Sequence, residues 1–179
     1  MRTFLAVEVP QQERKIIDDF ILTEAKSELP IKWVKFENLH ITLKFLGEID
    51  EKKKTDITPV IETICREHSS FKVKLEGLGC FPHPRNPRVL WVGVTQGGNE
   101  LCAIADALEK ELAQFGFKEE KRFHAHLTIG RIKKNCKVDD IVAKNIYTES
   151  FEVAAVVLFK STLKPEGPVY DQLCSFTLQ

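Results

Sequence analysis

Two His-x-Thr triplets, His40-Ile41-Thr42 and His126-Leu127-Thr128, are the residues of this chain best suited to chemistry. Side chains two residues apart on a strand point to the same face, so each triplet places an imidazole beside a hydroxyl. Imidazole titrates near neutral pH and can accept or donate a proton. Two such pairs on opposing walls would provide a base for an attacking water and an acid for the leaving oxygen of an in-line displacement at phosphorus.

Side chains near the imidazoles suit a phosphate ligand. The hydroxyls of Thr42 and Thr128 can donate hydrogen bonds to non-bridging oxygens, and Arg131 or Lys44 can balance their charge. Strand alternation puts Lys44 on the face of the first triplet, whereas Arg131 reaches the cleft only if Gly130 bends its strand. A solvent-facing Lys44 and an ordinary salt bridge of Arg131 are the competing interpretations.

A metal site is another interpretation of the same histidines. His124 precedes His126 by two residues on the same face, and His40 would be a distant third ligand. No carboxylate or cysteine stands close in sequence to complete the set. A third interpretation is that these histidines only occupy exposed strand faces.

Composition limits the class of protein. The 179 residues include 26 basic and 26 acidic residues, so no overall cationic field can hold long stretches of nucleic-acid backbone. No apolar run approaches the roughly 20 residues that span a bilayer. The five cysteines are spread out with no Cys-x-x-Cys pair, which is typical of reduced thiols. We expect a cytoplasmic, monomeric protein that does not enter a membrane.

Hydrophobic periodicity predicts the elements that position the triplets. Strands are expected over 4–9, 39–45, 71–78, 88–94, 123–132, 151–161 and 170–178. Helices are expected over 16–29, 57–64, 101–115 and 139–144, the third closed by a left-handed Gly116. This order predicts an α+β fold of two sheet-bearing lobes with a cleft between them and one triplet on each wall.

The extended motifs, 40–47 with sequence HITLKFLG and 123–131 with sequence FHAHLTIGR, resemble those of the two-histidine (2H) phosphoesterases. Within them the chain is most similar to the RNA 2′,3′-cyclic phosphodiesterases, historically called 2′-5′ RNA ligases. The likeness extends nearly end to end, through the flanks at 2–7, 38–39, 88–91 and 160–170.

The resemblance implies one domain over residues 1–179, a duplicated bilobal α+β fold with two antiparallel sheets lining a central cleft and helices outside. It implies metal-independent hydrolysis of RNA 3′ ends that carry a 2′,3′-cyclic phosphate, or of related nucleotides. The 3′ ester bond is opened, which leaves a 2′-phosphate, and 2′-5′ ligation is the reverse possibility. No cofactor is implied. The alternative is a module that binds RNA ends or nucleotides without turnover.

The resemblance also implies roles for individual residues. His40 matches the proton donor to the leaving oxygen, and His126 matches the acceptor of a proton from water. Thr42 and Thr128 match the phosphate-holding hydroxyls, and Arg131 matches a basic residue after the second triplet. For Phe45 two possibilities stay open: alternation predicts a core position, whereas the family's aromatic position predicts stacking on a terminal base.

Overall fold

The computed structural model describes residues 1–119 and 122–179, and its architecture confirms the predicted α+β class. Its α-helices are α1 (Gln11–Glu24), α2 (Glu51–Arg66), α3 (Gly98–Leu112) and α4 (Asp139–Val142). Its strands are β1 (Arg2–Glu8), β2 (Ile31–Trp33), β3 (His40–Glu48), β4 (Phe71–Phe81), β5 (Val89–Gln96), β6 (His126–Ile132), β7 (Phe151–Val153), β8 (Ala155–Lys164) and β9 (Gly167–Thr177).

The strands form two antiparallel sheets. The first sheet has the order β3-β1-β8-β9, and the second has the order β2-β6-β5-β4-β7. The first triplet begins β3 and the second begins β6, so each sheet carries one triplet. Strands β3 and β6 are in contact, which brings the two triplets to the same region between the sheets.

Helices α2 and α3 pack behind the first sheet, away from the triplets. They contact each other, while α2 contacts β9 and α3 contacts β3. The buried side of α3 comprises Leu101, Ile104, Ala105, Leu108 and Leu112. These residues recur every three or four positions, so one helical stripe supplies the packing. A short 3₁₀ turn follows α3 and ends at Gly116 with a φ of 80°, the left-handed conformation predicted from the sequence.

The prediction of a single strand over 151–161 was wrong. The run contains two strands in different sheets: β7 pairs with β4, whereas β8 pairs with β1 and β9. The break is at Ala154, where the chain passes from the second sheet to the first. Apolar residues continue on both sides of Ala154, so the hydrophobic pattern does not reveal the change of sheet.

Candidate active site

A β-bulge follows the first triplet. Adjacent residues of β1 pair with Thr42 and Lys44, so Leu43 is an extra residue without a partner on β1. An extra residue shifts the alternation of side chains by one position. Beyond the bulge, Lys44 therefore leaves the face of the triplet, and Phe45 takes its place there.

The bulge makes the interpretation of Lys44 as a cleft residue wrong. Its side chain is completely buried on the opposite face, where its Nζ lies 2.6 Å from a carboxylate oxygen of Glu109 on α3. The same ammonium donates to the carbonyl oxygen of Lys118 over 3.3 Å. Lys44 joins the first sheet to α3 and cannot balance the charge of a ligand in the cleft.

The core position predicted for Phe45 by alternation was also wrong. Its side chain is 49% exposed, and its ring centroid lies 6.1 Å from that of Phe4. An exposed aromatic ring beside the first triplet offers a flat apolar surface on which a nucleobase can stack.

The second triplet is followed by the same irregularity. Adjacent residues of β5 pair with Thr128 and Gly130, so Ile129 is the extra residue of β6. The shift puts the exposed side chain of Arg131 on the face of His126 and Thr128. The bulge, rather than a bend at the glycine alone, brings the guanidinium into the cleft.

A carbonyl oxygen fixes the tautomer of His40. Nδ1 of His40 lies 2.6 Å from the carbonyl oxygen of Asn38. A carbonyl oxygen only accepts, so in the neutral ring Nδ1 carries the proton and donates it. Nε2 is then the bare nitrogen, and the hydroxyl of Thr42 donates to it over 2.9 Å. The reactive nitrogen of His40 therefore faces the hydroxyl of its own triplet.

The second imidazole repeats this arrangement with one difference. Nδ1 of His126 donates to the carbonyl oxygen of His124 over 2.6 Å, so Nε2 is again bare. Within residues 1–119 and 122–179, Nε2 of His126 makes no hydrogen bond. Its lone pair is free to accept a proton from a water molecule.

Aromatic rings surround both imidazoles. Phe4 stacks on His40 with ring centroids 4.9 Å apart, and Tyr170 meets the same imidazole edge-on at 5.3 Å. Phe81 meets His126 edge-on at 5.1 Å. Rings in these positions exclude water and limit how far each imidazole can rotate.

Trp91 adds a wall beside the second triplet. Its indole lies on Gly79 of the neighbouring strand, where an added Cβ would stand 2.2 Å from the ring carbons. Only a glycine leaves room for the ring at that position. The indole centroid lies 6.4 Å from that of His126, so the close approach of two strands helps to position the catalytic candidate.

Burial lowers the pKa of both imidazoles. The pKa of His40 falls to about 4, mainly because burial disfavours the imidazolium, while the hydrogen bond to Asn38 raises it and the charge of Arg131 lowers it. The pKa of His126 is lowered chiefly by burial as well, with repulsion from His124 and from Arg131. Both rings are therefore neutral at pH 7 in the free protein. The charge of Arg131 thus lowers the pKa of one imidazole on each sheet.

A cavity of about 230 Å³ opens beside His40. Its lining includes Phe159, Tyr170 and Gln172 of the first sheet, together with Arg14 and Glu37. The mixture of rings and hydrogen-bonding groups provides room for part of a ligand next to the imidazole.

The site residues that were not predicted as such include Phe4, Asn38 and Tyr170. The side chain of Asn38 is buried and donates to the carbonyl oxygen of Pro168 over 2.8 Å, which ties the segment before β3 to the start of β9. All three lie in the flanks that carry the family resemblance. The likeness of those flanks to the family could have marked these residues as site candidates, but it does not reveal what each side chain contacts.

The alternative metal site lacks its ligand cluster in the part of the chain that the structure describes. No three histidine, cysteine, aspartate or glutamate side chains there are grouped so that they could hold a metal ion. Helices long and apolar enough to cross a membrane are likewise absent from the described residues.

Comparison with known proteins agrees with the fold. The model of the 2′-5′ RNA ligase superfamily matches residues 14–164. A protein of Archaeoglobus fulgidus, named RNA 2′,3′-cyclic phosphodiesterase, is 43% identical over 180 residues, which cover 98% of this chain and 99% of the relative.

Solved structures extend the likeness to three dimensions. A crystal structure of a Thermus thermophilus protein superposes with a TM-score of 0.86 at 27% identity, covering 99% of this chain and 98% of the other. Escherichia coli LigT in complex with 3′-AMP superposes with a TM-score of 0.81 at 25% identity, covering 99% and 96%. Both chains are matched over nearly their full length, so both sheets and the space between them are shared.

Proposed function

This chain belongs to the 2′-5′ RNA ligase superfamily, and we propose that it hydrolyses RNA 2′,3′-cyclic phosphate ends to 2′-phosphates by metal-independent, paired-histidine acid–base catalysis. The observation that carries the proposal is the pair of bare Nε2 atoms, one from each sheet, on faces that also hold a threonine hydroxyl and Arg131. The activity named for the Archaeoglobus fulgidus relative, which matches over the full chain, supports the substrate class.

The reaction follows from the tautomers. Nε2 of His126 accepts a proton from water as the water oxygen bonds to phosphorus. The bond from phosphorus to O3′ breaks on the opposite side, and O3′ takes a proton from Nε2 of His40 in its protonated form. The assignment of acid to His40 and base to His126 follows the resemblance, and the free Nε2 of His126 supports it.

The phosphate itself prepares His40 for its role. A pKa of about 4 leaves the free imidazole unprotonated at pH 7. A bound phosphate anion raises the pKa of a neighbouring imidazole, because it stabilises the imidazolium. Substrate binding therefore promotes protonation of the acid where the proton is used.

The threonines and Arg131 hold the phosphoryl oxygens. We assign Thr42 and Thr128 as donors to the non-bridging oxygens, whose negative charge Arg131 balances. When an RNA 5′-hydroxyl replaces the water, the same opening of the 3′ bond creates a 2′-5′ linkage. Ligation is thus the companion reaction of the proposed hydrolysis.

We further propose that the protein acts as a monomer in the cytoplasm. Both histidines and Arg131 come from one chain, so the proposed site is complete in a single copy. All five cysteines are free thiols, which supports a reducing compartment.

Alanine substitutions test the assignment. In the presence of a chelator, His40→Ala and His126→Ala should each lower kcat/KM on a dinucleotide with a 2′,3′-cyclic phosphate end by on the order of 10²–10⁴-fold. His83→Ala is the matched control, because His83 lies exposed in the β4–β5 turn. Full activity of both site variants, or stable binding of the dinucleotide without product by the natural chain, would contradict the proposal.

A further inference from the structure

A second cation lies next to Arg131 on the wall of the cleft. Lys32 of β2 pairs directly with Arg131 of β6. Directly opposed residues of neighbouring antiparallel strands project to the same face, with Cβ atoms about 5 Å apart. The bulge at Ile129 puts Arg131 on the cleft face, so Lys32 shares that face, and its side chain is exposed.

Close packing fixes β2 against β6. An added Cβ on Gly130 would stand 2.8 Å from Ile31 and 3.2 Å from the Trp33 ring, so the absence of a side chain lets the strands approach. The amide of Val34 donates to the carbonyl oxygen of Ile129 over 2.9 Å and continues the ladder. The backbone of Lys32 is therefore held firmly, and only its side chain is free to adapt.

The two cations have no counter-charge within residues 1–119 and 122–179. Neither Lys32 nor Arg131 forms an ion pair or a side-chain hydrogen bond there. Like charges directly opposite each other on a sheet are destabilising. On other strands Lys44 and Lys74 pair with Glu109 and Glu76. Two directly opposed cations beside a phosphate site can bind more anionic charge than one cyclic phosphodiester carries.

We propose that Lys32 binds the phosphodiester group that precedes the terminal nucleotide of an RNA substrate. The inference rests on the proposed function and deepens it: Arg131 takes the cyclic phosphate, and Lys32, one strand farther from the triplet, takes the next phosphate. The site is then built for the end of an RNA chain and favours it over a free cyclic mononucleotide.

Binding tests the subsite without turnover. The probes are a fluorescent RNA pentanucleotide with a 2′-phosphate end and, as competitor, adenosine 2′-monophosphate. Lys32→Gln should lower the ratio of the pentanucleotide affinity to the mononucleotide affinity about tenfold, whereas Lys32→Arg should retain it. Lys72→Gln is the charge-matched control, since Lys72 is exposed on β4 and pairs with β7 at the far edge of the same sheet.

Salt dependence gives a second readout. Loss of one phosphate contact should reduce the slope of log affinity against log salt concentration for the pentanucleotide by about 0.7. An unchanged slope and affinity ratio in Lys32→Gln, or an equal loss in the Lys72→Gln control, would overturn the inference. An equal loss of affinity for the pentanucleotide and the mononucleotide would also overturn it, because Lys32 would then act only by positioning Arg131.

Turnover separates this inference from the proposed function. The natural chain is assayed on adenosine 2′,3′-cyclic phosphate and on the cyclic-phosphate dinucleotide. Hydrolysis of neither would reject the proposed function while the binding ratio still decides the role of Lys32. If the natural chain hydrolyses both, Lys32→Gln should lower the ratio of kcat/KM on the dinucleotide to kcat/KM on the mononucleotide. An unaltered ratio contradicts the subsite.

Discussion

At the scale of single residues, the site is defined by two carbonyl oxygens. Each accepts the Nδ1 proton of an imidazole two residues later, so Asn38 and His124 direct the bare Nε2 of His40 and His126 to the cleft. The sequence predicted the faces of both histidines from strand alternation. It could not predict the tautomers, because they depend on the backbone path before each strand.

Titration of the imidazoles tests the electrostatic arrangement. Arg131→Gln should raise the pKa of both His40 and His126, because removal of a positive charge stabilises each imidazolium. His124→Gln should raise the pKa of His126, because His124 lowers it by charge repulsion, and should leave the pKa of His40 unchanged. NMR titration of the ring Cε1–H resonances measures both values in each variant.

An unchanged pKa of His40 in Arg131→Gln would contradict an electrostatic effect of the guanidinium on the first imidazole. His83→Gln provides the baseline, because this exposed histidine is in the turn after β4.

At the scale of elements, the two bulges decide which side chains reach the ligand. Simple alternation places Lys44 in the cleft and Phe45 in the core, and the structure reverses both. A bulge is a feature of pairing between strands, so a period-2 pattern within one strand does not reveal it. The sequence did indicate a disturbance at Gly130, where glycine removes the side chain that strand packing would exclude.

Removal of the buried Lys44 side chain should destabilise the fold measurably. Lys44→Ala should lower the free energy of unfolding by about 3 kcal/mol, because it removes a completely buried side chain and breaks its ion pair with Glu109. Lys52→Ala, which breaks an exposed helical ion pair with Asp56, should cost less than about 1 kcal/mol.

Urea unfolding of both variants gives the comparison. If Lys44→Ala cost no more than Lys52→Ala, Lys44 would face solvent as strand alternation suggests. A large loss together with normal cyclic-phosphate binding would place Lys44 behind the sheet.

At the scale of the whole molecule, we infer that the chain is a single domain of two pseudo-repeated lobes. The same triplet, the same following bulge and the same carbonyl contact to Nδ1 occur in each sheet. The order of strands and helices was largely predictable from periodicity and from Gly116. The crossing of the chain between sheets at Ala154 was not, because the apolar run is continuous there.

Acid should weaken the whole fold through the first imidazole. The pKa of His40 is about 4 in the folded chain and about 6.5 when unfolded, so between these values the unfolded chain binds more protons. The free energy of unfolding therefore rises with pH through this window, and this contribution is lost as pH falls from 6.5 toward 4. His40→Asn removes the titrating group and should reduce that loss by on the order of 1–3 kcal/mol.

Denaturation at pH 7.0 and pH 4.5 measures this difference in both proteins. His83→Asn is the control, since His83 lies exposed in the turn after β4. Equal acid sensitivity of the His40→Asn variant and the natural chain would show that His40 is not protected from protonation by the fold.

We propose that the two imidazoles open a cyclic phosphate without a metal ion. The most direct measurement is incubation of the protein, in excess chelator, with an RNA that ends in a 2′,3′-cyclic phosphate, followed by identification of the phosphate position in the product. The predicted result is turnover to a 2′-phosphate. A 3′-phosphate product, or activity that disappears with chelator and returns with added metal, would contradict the account.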